Sequence, residues 1–138
     1  MQYPDLALPV IKKFLVSGDL DYHLLWLKGF MITQAVELPL AWWVLARHLR
    51  RKGRPVSTGR IIAGVVIGNM ATHPFLWFVF PEFMGYGLTL FFGELTAVLV
   101  EALLYRLIVG GSMTVSLGAS LAANLGSVLA GLLIMPPF

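Results

Sequence analysis

The stretch that decides the fold is MTVSLGASLAANLGSVLAGLLIM, residues Met113–Met135, in which no side chain carries a charge. A helix of about 20 apolar residues crosses the roughly 30 Å hydrocarbon core of a bilayer, because each residue adds about 1.5 Å. Three more stretches meet this criterion: Lys28–Arg47, Ile61–Phe80 and Leu88–Val109. The sequence therefore predicts an all-α polytopic membrane protein, a four-helix transmembrane bundle that forms a single transmembrane domain over residues 1–138.

The overall composition agrees with a membrane location. Of 138 residues, 58% are hydrophobic and 12% are charged, whereas soluble domains average roughly 45–50% and ~25%. A soluble chain of this length has too little interior to hide so much apolar surface. The chain also contains no cysteine, which excludes disulfides, thiol catalysis and thiolate metal sites.

Lysine and arginine predict the orientation. The loop between the first two spans holds six basic residues and no acidic one: Arg47, Arg50, Arg51, Lys52, Arg54 and Arg60. Because cytoplasmic loops are enriched in positive charge, we expect this loop inside and both termini outside the cytoplasmic (inner) membrane. We also expect the Arg47–Arg60 loop to contact anionic lipids, and we expect no nucleic-acid partner.

The first 27 residues lack the basic start and the small-residue cleavage site of a signal peptide. Apolar residues recur at helical spacing from Leu6 to Leu15, whereas Lys12 and Lys13 fall on another face. This pattern predicts a short helix on the outer membrane surface, with residues 1–27 as an interfacial segment.

Four ionisable residues lie inside the predicted spans: Glu37, His73, Glu94 and Glu101. Each costs roughly 2.5–3.5 kcal/mol to insert, so each needs a partner or water. The polar residues placed roughly 9–16 Å below the outer ends of their spans are Glu37, Asn69, His73, Glu94, Asn124 and Ser127. Glu101 lies about 20 Å down, and pairing with Arg106 is an alternative for it.

Helical spacing places these residues on shared faces. Asn69 and His73 are four residues apart, and Glu94 and Glu101 are seven apart. One polar seam of the fourth span consists of Ser116, Ser120, Asn124 and Ser127. Pro39 and Pro74 free a backbone carbonyl near Glu37 and near His73, respectively. We expect these faces to converge on one buried polar site, with Ser116, Ser120 and Thr33 forming interhelical hydrogen bonds that hold the helices together.

Three functions fit such a site. The first is transport or permeation of a proton, cation or small polar solute, since burial and neighbouring carboxylates favour a shared proton. For this function we expect a homo-oligomer, because four short helices leave little room for a pore. The second is an intramembrane hydrolase, either with a divalent cation on His73, Glu94 and Glu37 or with Ser127 or Ser120 as the nucleophile, although no signature motif is present. The third is a structural subunit of a larger membrane complex.

The tryptophans do not separate these functions. Trp26 is expected at the outer interface, and Trp42, Trp43 and Trp77 are expected as packing or lipid-facing anchors.

The last three spans carry a family resemblance. Gly68–Trp77 contains Asn-x-x-Thr-x-Pro, Gly93–Glu101 contains the paired Glu, and Ser120–Ser127 contains Ser-x-x-x-Asn-x-x-Ser. Together they resemble a group of small bacterial four-span membrane proteins. The resemblance implies that these polar residues act together, and it implies no particular activity.

Overall fold

The computed structural model describes residues 20–134, except for the side chains of Asp21 and Tyr86. Its main elements are four helices: α1 (Leu20–Arg51), α2 (Thr58–Pro74), α3 (Tyr86–Ile108) and α4 (Met113–Ile134). Each forms the whole or most of a segment that is long and apolar enough to cross a membrane, and no strand occurs within the described range. The prediction of an all-α protein with four membrane-spanning helices is confirmed.

The first helix is longer than the predicted span. It begins at Leu20 rather than Lys28 and runs through Pro39 without a break. The apolar side chains between Leu24 and Leu27 allow the helix to extend, so residues 20–27 belong to α1 rather than to a separate surface segment. The rest of the predicted interfacial helix lies outside the described residues.

The second span changes its helical form at Pro74. Proline lacks the N–H that an α-helix requires, and a π-helical turn (Phe75–Val79) and a 3₁₀ turn (Phe80–Glu82) follow it directly. The N–H of Phe80 accordingly bonds to the carbonyl of Phe75, five residues back. The α-helix therefore ends at Pro74, and the π-helical turn that follows is wider than an α-helical turn and lies next to His73.

The helices form a closed ring in chain order. Each packs against the next, and α4 packs back against α1, which is its most extensive contact. Apolar side chains from all four helices fill the end of the bundle nearest the Arg47–Arg60 loop. This apolar core consists of Ala41, Leu45, Ala46, Leu49, Ile61, Val65, Tyr105, Val109, Ala119 and Ala123. Most of the buried polar side chains lie toward the other end of the bundle, whereas Ser116 lies near the loop.

Polarity is reversed relative to a water-soluble protein. Leu107, Leu129 and Leu133 are 66%, 62% and 86% exposed, whereas Glu37 and Glu101 are each 1% exposed. Exposed leucine is favourable against lipid and unfavourable against water. The chain is thus a multi-pass membrane protein whose polar residues face the inside of the bundle.

At the end with the basic loop, arginines stack on tryptophans. The guanidinium of Arg47 lies 5.5 Å from the centre of the Trp43 ring, and that of Arg50 lies 5.4 Å from the Trp42 ring. The loop turns at Gly53, whose φ of 64° is unfavourable for residues with a side chain. Aromatic and cationic groups together suit the boundary between lipid tails and headgroups.

Candidate functional site

The polar half of the bundle surrounds a cavity of about 310 Å³. All four helices contribute to its wall, and all seven site residues predicted from the sequence line it: Glu37, Asn69, His73, Glu94, Glu101, Asn124 and Ser127. The cavity extends to Tyr22, Pro81 and Leu132, which lie at the end of the bundle opposite the basic loop. The structure therefore brings the seven residues that depth and helical spacing selected to one shared cavity.

Glu101 accepts hydrogen bonds from side chains on two other helices. Its Oε2 accepts hydrogen bonds from Asn124 Nδ2 at 2.6 Å and Ser120 Oγ at 3.1 Å, and its Oε1 accepts one from Thr72 Oγ1 at 3.1 Å. The side chain thus joins α2, α3 and α4. Arg106, the alternative partner considered from the sequence, is exposed, and Glu101 belongs to the polar cluster instead.

Glycine allows this close packing. A Cβ built on Gly68 of α2 would lie 2.9 Å from Glu101 Cγ, well inside the roughly 3.5–4.0 Å of an ordinary carbon contact. Only glycine leaves room for Glu101 at this position without a shift of the carboxylate side chain.

Glu37 and Glu94 are less completely paired. Ser127 Oγ donates to Glu37 Oε1 at 2.7 Å, but Glu37 Oε2 is buried without a hydrogen-bond partner. Glu94 is half-buried, and its Oε2 is likewise buried without a partner. Asn69 Nδ2, which is also at the cavity, has none. An unpaired buried polar atom costs about 1–3 kcal/mol, so the cavity has open hydrogen-bonding capacity for a ligand or water.

Two hydroxyl groups have a choice of acceptor. Thr72 Oγ1 lies 3.1 Å from Glu101 Oε1 and 3.0 Å from the Gly68 carbonyl. Ser127 Oγ lies 2.7 Å from Glu37 Oε1 and 3.0 Å from the Asn124 carbonyl. A hydroxyl has a single proton to donate. Each can therefore donate to an ionised carboxylate, or donate to the backbone carbonyl and accept a hydrogen bond from a neutral carboxyl group.

His73 is held among aromatic rings. Its ring stacks on Trp77 at a centroid distance of 6.0 Å and meets Phe30 edge-on at 5.3 Å. Its Nε2 lies 3.5 Å from Thr33 Oγ1, and its Nδ1 has no partner. Trp77 therefore packs within the bundle, as one of the two expected roles has it, and it also lines the cavity.

The two enzyme hypotheses find little geometric support. Among residues 20–134, no three His, Asp or Glu side chains are close enough to hold one metal ion, although His73, Glu94 and Glu37 share the cavity. Within the same range His73 hydrogen-bonds Thr33, whereas the hydroxyls of Ser120 and Ser127 are directed at carboxyl groups. A serine nucleophile beside a histidine base is therefore not assembled.

The cavity also lacks a fixed positive charge. None of the described residues that line it is a lysine or an arginine. Three carboxylates in a low-dielectric space repel one another and lose hydration. Their negative charge is therefore balanced either by a bound cation or by a proton that the carboxyl groups share.

Two further polar residues donate to Glu101. Ser120, expected to form an interhelical hydrogen bond, does so from α4, and Thr72 does so from α2. The signal was present in the spacing, since Ser120 lies one helical turn before Asn124 and Thr72 lies beside His73.

No protein-family model, curated protein or solved structure is similar enough to this chain to show its family. The resemblance to small bacterial four-span proteins stays a prediction, and the function has to be argued from the cavity itself.

Proposed function

We propose that this protein binds a cation in its membrane-embedded cavity in exchange for a proton, and that it acts as a cation carrier. The observation that carries the proposal is a cavity lined by Glu37, Glu94 and Glu101 without a lysine or arginine among the described lining residues. The negative charge must be balanced by a proton or by a bound cation. The two therefore compete for the same carboxyl groups.

The hydrogen bonds around the carboxyl groups support such an exchange. Because Thr72 and Ser127 each have a backbone carbonyl as a second acceptor, Glu101 and Glu37 can be hydrogen-bonded in either protonation state. A proton can leave without stranding a buried hydroxyl group.

The shape of the bundle supports access from one side. The cavity extends toward Tyr22, Pro81 and Leu132, whereas the apolar core packs the half near the basic loop. Positive-inside orientation would place the cavity's open end outside the cytoplasmic membrane. A carrier would then have to separate the apolar core to release its cargo inward, which makes this arrangement the outward-facing state.

Proton release tests the exchange directly. The full-length protein is purified in detergent with very weak buffer. Na⁺, K⁺, Mg²⁺, ethylamine or phenethylamine is added from a stock adjusted to the starting pH, so that a pH indicator reports only the protons that the protein releases. We expect at least one of these cations to release protons from the wild type. Glu37→Gln and Glu94→Gln should each reduce the release, because each variant removes one exchangeable carboxyl group.

Glu82→Gln is the matched control, since Glu82 is an exposed carboxylate in the turn between α2 and α3. It should release protons as the wild type does. Absence of release with every cation would reject the proposal. Equal loss in the control variant would reject the assignment to the cavity. For any cation that releases protons, proteoliposomes with an imposed pH gradient then show whether it also crosses the membrane.

We also propose a role for the basic end in lipid binding. Trp42, Trp43, Arg47, Arg50 and Arg51 line a separate hollow of about 280 Å³, and arginine pairs readily with a lipid phosphate. Phosphatidylglycerol should therefore remain bound through purification more than phosphatidylcholine, as measured by mass spectrometry of the extracted lipids.

We also propose that the protein forms a homo-oligomer, and that each copy binds its cation independently. A single chain supplies the whole described wall of the cavity, so cation binding should not require a second copy. The measurement is binding in nanodiscs that hold one chain each.

A further inference from the structure

The cavity is larger than an inorganic cation needs. Its volume of about 310 Å³ is about ten times the ~30 Å³ that a water molecule occupies in the liquid. It falls at the lower end of the ~300–1,000 Å³ typical of small-molecule sites. A bare ion would leave most of this space empty or filled with water.

The wall of the cavity is divided between polar and apolar surfaces. Beside the carboxyl groups, the apolar lining consists of Ile32, Leu76, Leu90, Ala97, Val128 and Leu132. The rings of Tyr22 and Trp77 also line it. Apolar and aromatic walls gain nothing from a hydrated ion and are stabilised by contact with hydrocarbon. The cavity therefore suits a ligand with an apolar part and a charged part.

The unpaired atoms specify the charged part. Glu37 Oε2 and Glu94 Oε2 are buried without a donor, and an ionised carboxylate can only accept hydrogen bonds. A ligand that carries a positive charge together with N–H donors satisfies both atoms at once. A quaternary ammonium has no N–H group, and a divalent metal prefers six or more oxygen ligands where no three described acidic or histidine groups converge.

We propose that the cargo is a protonated primary or secondary amine with an apolar or aromatic body. The ammonium group is bound by Glu37 and Glu94, and the body packs against Trp77 and the leucines of the wall. This inference rests on the proposed cation exchange and names its substrate class.

Binding of three related probes tests both parts of the ligand. Phenethylamine has the charge, the N–H donors and the aromatic body; ethylamine lacks the body; and trimethylphenethylammonium lacks the donors. Isothermal titration to the full-length protein in detergent should give phenethylamine an affinity at least about tenfold higher than either of the others. Affinities within about twofold for ethylamine or for the trimethyl compound would overturn the corresponding part of the proposal.

A tryptophan pair provides the test by substitution. Trp77→Leu should weaken phenethylamine binding about tenfold and leave ethylamine binding unchanged, because only the aromatic body loses its contact. Trp43→Leu is the matched control, since Trp43 is 56% exposed and lies at the basic-loop end of α1, away from the cavity. Equal binding of phenethylamine by both variants would contradict a role for Trp77.

The outcome also separates this inference from the proposed function. If Na⁺ or Mg²⁺ releases protons and the amines do not, the protein exchanges cations but the amine assignment is wrong. If no cation releases protons, both proposals fail. The probe comparison uses the wild-type protein, so it remains decisive if a variant does not fold.

Discussion

Replacing Gly68 with alanine should destabilise the bundle by pressing on the central carboxylate. The new Cβ would lie 2.9 Å from Glu101 Cγ, about 0.6 Å closer than the roughly 3.5 Å at which two carbons pack well. Glu101 would have to move away from α2. The two α4 donors resist that movement, because Asn124 Nδ2 already lies 2.6 Å from Glu101 Oε2 and Ser120 Oγ lies 3.1 Å away.

Two opposing effects determine the magnitude. Added volume in a well-packed interior costs about 1–3 kcal/mol, whereas alanine is favoured over glycine within a helix by up to about 1 kcal/mol. Gly118→Ala isolates the second effect, since a Cβ at Gly118 of α4 would meet no atom within 4 Å. The prediction is that Gly68→Ala is less stable than Gly118→Ala by about 1–3 kcal/mol.

The assay is equilibrium unfolding in mixed micelles of detergent and SDS, followed by tryptophan fluorescence. Wild type and both variants are compared under identical conditions, so that the difference between the alanine variants removes the helix-propensity contribution. A difference below about 0.5 kcal/mol, the range of neutral substitutions, would refute the close contact between Gly68 and Glu101. Gly68→Val should enlarge the difference further, because it adds two methyl groups at the same place.

Three further predictions concern the same cavity and the orientation. Ser127→Ala should lower the free energy of unfolding by about 1–2 kcal/mol, because it removes the donor to Glu37 Oε1. Thr114→Ala, on the exposed side of α4, should leave the free energy of unfolding unchanged. Equal effects of the two substitutions would contradict the hydrogen bond between Ser127 and Glu37. Since the chain has no cysteine, a single Lys52→Cys should resist a membrane-impermeant maleimide in intact cells, and Phe83→Cys should react; the reverse pattern would invert the proposed orientation. Mg²⁺ added alone should not raise the unfolding midpoint, and a clear concentration-dependent increase would indicate a metal site.

The contents of the candidate site were largely predictable. Glu37, His73 and Glu94 stand out because ionisable groups inside a span are costly, and the rise of a helix fixes how deep each lies. Helical spacing then gave the face of Asn69 and Asn124. These are local properties of one helix at a time, and they require no knowledge of how the helices meet.

The connections within the site were not predictable in this way. The sequence left Glu101 open between the cluster and Arg106, and its place was decided by Gly68 on another helix, which allows the carboxylate to approach. Ser120 was expected to form an interhelical hydrogen bond, but its partner Glu101 lies on another helix, and the distance between the two helices is not a property of either sequence segment. Trp77 was expected to be a packing or lipid-facing anchor, and its place in the wall of the cavity depends on how the second span packs against the other helices.

The sequence by itself therefore determined the membrane class, the four helices and the depth of the polar groups, because composition and helical period act along a single chain segment. Only the tertiary structure decided that the helices close into a ring, that apolar core and cavity occupy opposite halves, and which acceptor atoms stay unpaired. Those features depend on distances between helices, and side-chain volumes and hydrogen bonds set those distances when all four helices pack together.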